Sequence, residues 1–275
     1  MSISVFILTL NEKINIAACI ESVAWSDDIV VLDSLSSDAT REIARAAGAR
    51  VVERTFDNWA AHQNWAMDNI TFKHPWVLYI DADERCTEEL RDEIIKLAQS
   101  DNSNAAYRLR RKDFFMGRWL KRAQLYPTWI IRLFRPKKIR YERLVNPVAV
   151  VDGPIGELQG HLHHYPFSHG ISHWIDRHNR YSSFEAIEAR KARIELPPIK
   201  NLFSRDPNIR RTIQKELFFR LPGRPLVKFF YYYFIRRGFL DGYPGFVYCA
   251  LQAIYEFFIA CKQKEIRQKE LGLSM

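Results

Sequence analysis

The 275-residue chain contains neither a G-x-G-x-x-G nor a G-x-x-x-x-G-K-[ST] segment. Dinucleotide oxidoreductases and P-loop enzymes cradle phosphates on such loops, so their absence argues against both classes. Cysteine is sparse: Cys19, Cys86, Cys249 and Cys261 lie far apart, without the paired spacing of a zinc site. Reduced cytosolic thiols are the expected state. The first apolar run is short, contains Thr9 and leads directly into a helical pattern, so no signal peptide is expected. Nor does any apolar stretch offer a clean run of the about 20 residues that a spanning helix needs. The first hundred residues are poor in positive charge, with 9 Lys/Arg against 17 Asp/Glu. The remainder holds 32 against 15, a basic excess that should attract anions.

What the sequence does have is Trp76-Val77-Leu78-Tyr79-Ile80 running straight into Asp81-Ala82-Asp83-Glu84. The run reads as a buried strand with acids at its C-terminal end, where ligands bind in open α/β sheets. Mg²⁺ is held by one or two carboxylates together with substrate phosphates. Asp81 and Asp83 are therefore candidate metal ligands for a nucleotide-diphosphate substrate. A solvated acidic turn before a helix beginning near Thr87 is the plainer alternative.

Three further apolar runs precede it: Ile3–Leu10, then Ile29–Leu32 ending at Asp33, then Ala49–Glu53. Helical patterns separate them, and Gly48 suits a helix C-terminus. The order β-α-β-α-β-α-β predicts a parallel, Rossmann-like sheet with polar residues at each strand's carboxyl end. Segments 105–113, 129–135 and one beginning at Ile155 alternate like strands.

Thr9-Leu10-Asn11-Glu12, Val31-Leu32-Asp33-Ser34 with Ser37-Asp38-Ala39-Thr40, Gln63-Asn64-Trp65-Ala66 and Asp81-Ala82-Asp83 together resemble the family 2 glycosyltransferases, in the order that family has them. The resemblance is nearest to the branch that builds lipopolysaccharide core or other bacterial surface polysaccharide. It is looser through 128–190 and Gly238–Gly242. It implies a GT-A fold and inverting transfer of a sugar from a nucleotide-sugar, expected to be a UDP-sugar, with Mg²⁺ or Mn²⁺. It further implies that Thr9, Asn11, Glu12, Asp33, Gln63 and Asn64 line the nucleotide pocket. Arg132 and Arg135 match the family's Arg-Leu-Phe-Arg and would face phosphate. His164, one of six histidines between 161 and 178, would help hold the metal or diphosphate.

The general base is where the chain departs from that family. Many members carry Val-His-Glu where this chain reads Val145-Asn146-Pro147, and proline accepts no proton. Glu142 and Asp152 are the nearby candidates. Glu142 needs a reshaped loop, and Asp152 before Gly153-Pro154 also fits a turn residue.

Between 217 and 258 stand fifteen Phe or Tyr, with Arg220, Arg224, Lys228, Arg236 and Arg237 among them. Interfacial amphipathic helices fit this pattern, and a packed helical subdomain or oligomer interface is the alternative. Basic and aromatic residues also suit single-stranded nucleic acid, but no RNA-binding motif is present and nucleic acid is not an expected partner. The reading is thus an α/β GT-A domain over 1–195, followed by a mostly helical, basic and aromatic membrane-associating region over 196–275. The expected acceptor is a lipid-linked saccharide at the cytoplasmic face of the inner membrane. A polyprenyl-phosphate glycosyl synthase, a nucleotidyltransferase and a non-catalytic membrane scaffold are the competing functions.

Overall fold

The computed structural model describes residues 3–100, 103–124, 126–142, 147–191, 221 and 223–273, with side chains outside 188–191. The chain forms two compact units, one of Met1–Trp119 with Tyr126–Ser168, the other of Leu120–Leu125 with His169–Met275. The boundary expected at 195/196 lies outside the described residues.

The first unit is built on a mixed sheet. Strands β1 (Ile3–Thr9), β2 (Ile29–Asp33), β3 (Arg50–Glu53) and β4 (Trp76–Asp81) are parallel and stand in the order β3-β2-β1-β4. They are joined by α1 (Ile16–Ser22), α2 (Thr40–Ala46) and α3 (Trp59–Asn69), as the alternating pattern predicts. Beyond β4 the sheet ceases to be parallel. β8 (Thr128–Phe134) pairs antiparallel with both β4 and β6 (Ala106–Phe115). β11 (Ile155–His164) lies parallel to β6, and the short β5 (Glu84–Cys86) closes that edge. β7 (Arg118–Trp119) folds back on β6. β9 (Ile139–Glu142) and β10 (Val148–Val151) form a separate antiparallel pair.

Side chains alternate across a strand, so β1 feeds two cores. Ile3, Val5 and Ile7 pack with α1 and with Leu90 and Ile94 of α4 (Glu88–Ala98). Phe6 and Leu8 pack with Ala66 and Met67 of α3 and with Ile139 and Tyr141 of β9. Burial on both faces is why these strands read as unbroken apolar runs. Asn58 caps α3 by accepting from the Ala61 amide at 2.9 Å, and Thr87 caps α4 by accepting from Leu90 at 3.3 Å. Capping of α4 is thus done by Thr87, which separates the Asp-x-Asp pair from that task. Gly160 lets β11 approach α4, since a Cβ there would meet the Leu90 Cα at 2.5 Å.

The second unit is helical: α5 (Gly170–Lys191), α6 (Arg224–Phe230) continuing into a π-helical turn to Ile235, a 3₁₀ turn at Gly238–Asp241, and α7 (Gly242–Glu270). Asp241 accepts from the amides of Arg122 and Ala123 at 2.7 and 2.8 Å. Glu256, buried on α7, pairs with Arg224 at 2.9 Å and Lys228 at 3.2 Å. The sequence suggested no clean spanning stretch. Helix formation carries Gly238–Glu270 through in one piece, long and apolar enough to cross a membrane by length and composition.

Candidate active site

The carboxyl ends of β1, β2 and β4 meet at one edge, with Thr9 in register with Asp33 and Leu8 with Asp81. The chain order reverses direction between β1 and β4, the crevice where open α/β sheets bind ligands. The loops after β1 and β2 are tied to each other. The Asn11 amide donates to Ser36 Oγ at 2.8 Å, and Asn11 Oδ1 accepts from the Ser37 amide at 2.8 Å. The Glu12 amide donates to Thr40 Oγ1 at 2.8 Å. Asn11 adopts φ +56°, a left-handed conformation that asparagine tolerates better than most residues.

Asp33 is fully buried. Its oxygens accept from the Ser36 amide at 2.7 Å and the Ser36 hydroxyl at 2.5 Å, so it shapes the loop after β2. Gln63 and Thr9 are buried, and Gln63 Oε1 and Thr9 Oγ1 have no hydrogen-bond partner among the described residues. Asn64 faces β9. Its amide donates to the Tyr141 carbonyl and its carbonyl accepts from the Tyr141 amide, both at 2.9 Å. It holds the β9–β10 pair against α3.

At the end of β4 the two acids differ. Asp81 accepts from the Tyr79 hydroxyl at 2.7 Å and from Arg132 Nη2 at 2.6 Å, so each of its oxygens already has a partner. Arg132 also donates to Glu84 at 2.9 Å and lies over the Tyr79 ring. Burial opposes the guanidinium charge, but Asp81 and Glu84 outweigh it and hold Arg132 well above its ordinary value. The site that suggested a phosphate contact for Arg132 is therefore an internal ion pair. Arg135 lies over Trp76, 4.4 Å from its ring centre.

Asp83 turns the other way, toward His164 at the end of β11, with Oδ2 3.3 Å from Nε2. The Nδ1 side of that ring makes a short contact with the buried Asp113 of β6. Burial alone would lower the imidazole's affinity for a proton, yet Asp83 and Asp113 raise it to about 9. Arg111 links the two halves, 3.1 Å from Asp113 and 3.6 Å from Glu84.

Among the described residues, no group of three or more His, Cys, Asp or Glu side chains is arranged to hold a metal alone. A hard divalent cation completed by substrate phosphates needs fewer protein ligands. Asp83 and His164 fit that requirement. With Nδ1 turned to Asp113, Nε2 would be the ligand atom once a cation displaced its proton, the carboxylate–histidine arrangement common at metal sites.

The base candidates lie on the β9–β10 pair. Glu142 ends β9, exposed, in register with Val148. Asp152 stands at the opposite end, beside Val151, which faces Ile139, and pairs with Lys138 at 2.7 Å. Of the segment 145–147, only Pro147 belongs to the described residues. The sequence reading missed Glu84, Arg111 and Asp113. Glu84 lay in plain view beside the acidic pair, but only pairing across β4, β8 and β6 reveals its partners.

The sequence description Glycosyl transferase family 2 matches residues 4–155. The chain is 30% identical to an uncharacterized glycosyltransferase of Rickettsia typhi, over 97% of this chain and 88% of that one. It is 26% identical to the lipopolysaccharide core biosynthesis glycosyltransferase LpsC of Rhizobium meliloti, over 95% and 92%. A solved glucosyl-3-phosphoglycerate synthase from Mycobacterium tuberculosis, in complex with Mn²⁺, UDP-glucose and phosphoglyceric acid, aligns at TM-score 0.34 and 24% identity. That alignment spans 42% of this chain and 44% of that one, less than half of either. An α/β sheet with Asp-x-Asp closing its fourth strand is the GT-A arrangement, that of sugar-transferring enzymes. The chain belongs to glycosyltransferase family 2.

Proposed function

We propose that the protein catalyses inverting transfer of a sugar from a UDP-sugar to a hydroxyl of a lipid-linked saccharide, in lipopolysaccharide or surface polysaccharide assembly. The observation that carries this reading is the strand-end pair of Asp83 with His164, backed by Asp113. Likeness to the Rhizobium meliloti core enzyme over nearly the whole length supports the acceptor class. Inversion is a single displacement at the anomeric carbon. Mg²⁺ or Mn²⁺ held by Asp83 and His164 would offset charge growing on the leaving diphosphate. Asp81 acts through Arg132 and Glu84, keeping the turn that presents Asp83 in place. Glu142 is the base that takes the acceptor proton, because Asp152 is ion-paired at the far end of its hairpin.

The second unit docks at the cytoplasmic face of the inner membrane. Leu226, Phe230, Phe234, Ile235, Phe239 and Tyr243 are exposed, and Arg237 is exposed beside them. Arg224 and Lys228 are engaged with Glu256, so they contribute less to lipid attraction than their spacing suggested, and Arg220 lies outside the described residues. Release of UDP from UDP-sugars, screened with purified protein and Mn²⁺, tests the reading. Failure with every common nucleotide-sugar and a lipid-linked acceptor overturns it.

Pro147 favours a second reading, a polyprenyl-phosphate glycosyl synthase. A phosphate acceptor is already an anion and needs no base. Turnover with polyprenyl phosphate but not with a saccharide hydroxyl would select it.

A further inference from the structure

Three chain segments meet on the guanidinium of Arg85, which lies on β5 directly after the acidic turn. Its Nη1 donates to the carbonyls of Ala82 and Glu84, at 2.9 and 2.8 Å, one on each side of Asp83. Its Nη2 donates to Oδ1 of Asn15, which immediately precedes α1, at 3.3 Å. Its Cζ lies 5.6 Å from the ring centre of Tyr165, just past the end of β11. The Tyr165 amide in turn donates to the Asp83 carbonyl at 2.9 Å. The carbonyls of residues 82, 83 and 84 are thereby each taken by a donor.

Asn15 anchors this clamp. It is buried, and its Nδ2 donates to Glu12 Oε2 and to Ser168 Oγ, both at 2.7 Å. Through Asn15 the guanidinium ties the acidic turn to the loop after β1 and to the segment after β11. Neutralising a carboxylate is not what an arginine does here. Each of its acceptors is a neutral oxygen, and among the described residues no carboxylate pairs with it. Its shape is what the contacts use. One nitrogen spans two carbonyls while the other reaches Asn15, a two-armed geometry that the single ammonium of lysine does not reproduce. The backbone held in this way carries Asp83, whose Oδ2 stands 3.3 Å from His164 Nε2, close enough for both to meet one cation.

We infer that Arg85 is the positioning residue of the metal pair, fixing the acidic turn so that Asp83 and His164 converge on one divalent cation. This rests on the metal reading above and adds to it the residue that sets the geometry. The sign of the effect separates position from charge. A guanidinium repels a nearby dication, so by charge alone its removal would tighten metal binding. By position its removal loosens metal binding, and losing a group that holds a metal ligand in place typically costs about ten- to a hundredfold in affinity.

Calorimetric titration of UDP into the full chain, at graded Mn²⁺ and in EDTA, tests the inference. In wild type Mn²⁺ should tighten UDP binding. Arg85→Met should raise the Mn²⁺ concentration that gives half of that tightening by about tenfold or more, and leave UDP affinity in EDTA unchanged. Arg85→Lys, which keeps the charge but not both arms, should fall between the two. Thermal unfolding verifies that each variant is folded, and Arg85→Lys decides the matter if Arg85→Met is not. An equal or lower Mn²⁺ requirement in Arg85→Met, a wild-type requirement in Arg85→Lys, or UDP affinity lost equally in Mn²⁺ and in EDTA would each overturn the positioning role. A wild type that binds UDP alike in Mn²⁺ and in EDTA would instead overturn the metal reading, and one that binds no UDP would overturn the donor reading, each taking this inference with it.

Discussion

Arg132 Nη2 lies 2.6 Å from Asp81 Oδ2, so one of the two acids at the end of β4 is already neutralised by a cation from β8. The acids of the Asp-x-Asp pair therefore divide their work. Asp83 pairs with His164 at the end of β11, while Asp81 belongs to a network of Tyr79, Arg132 and Glu84.

Asp83→Ala should lower turnover by at least about a hundredfold with little loss of fold stability, because the acid makes an ion pair rather than apolar packing and Asp113 still partners His164. Donor affinity in wild type should depend on Mg²⁺ or Mn²⁺. Calorimetry showing equal affinity with metal and with EDTA would remove the metal role from Asp83.

Arg132→Met should cost stability more than activity assays alone suggest. It leaves Asp81 without its cation and the fully buried Glu84 with only Arg111, 3.6 Å away, and breaking such a pair typically costs about 3–5 kcal/mol. Urea unfolding reads this directly. A loss below about 1 kcal/mol would show the ion pair to be incidental.

Glu142→Gln should cut kcat by about a hundredfold with donor binding retained, and Asp152→Asn should change little. The reverse pattern in steady-state kinetics moves the base to Asp152. Full turnover in both variants favours the phosphate-acceptor reading.

His62 gives a pH dependence with a definite sign. Its folded value, about 4, lies below the 6.5 of an ordinary histidine, because of burial and Arg54, with Asp57 opposing. The folded state binds fewer protons, so the stabilisation is present above pH 6.5 and is lost as pH falls toward 4. Wild type should lose stability faster than His62→Gln across that window. Parallel curves from thermal unfolding would show that the ring does not titrate this way.

Charge reversal at Arg236 and Arg237 should weaken flotation with anionic liposomes more than with neutral ones, since each cation near an anionic surface contributes about 1 kcal/mol. Added salt should reduce that difference and leave the aromatic contribution. Wild-type protein that stays at the bottom of the gradient at low salt would leave α6 and α7 as a packing or oligomer surface.

The sequence by itself determined the β-α alternation through β4, because strands buried on both faces must read as unbroken apolar runs and helices between them must carry a 3.6-residue pattern. It also placed Asp81 and Asp83 at a strand's carboxyl end, a local property of an apolar run meeting acids. What each acid faces is not local. Asp81 meets Arg132 across 51 residues, and His164 meets Asp113 across another 51. The first pairing depends on β8 lying antiparallel beside β4, the second on β11 lying parallel to β6 with His164 in register with Asp113, and no short-range periodicity encodes either. The same holds for Asn64, read as a pocket residue and found bonding the backbone of Tyr141, and for Arg224 and Lys228, read as basic residues of an interfacial helix and found on Glu256. Side-chain type and strand position are written in the sequence, but a charged group's effect depends on its nearest opposite charge, and only the tertiary structure decided which that would be.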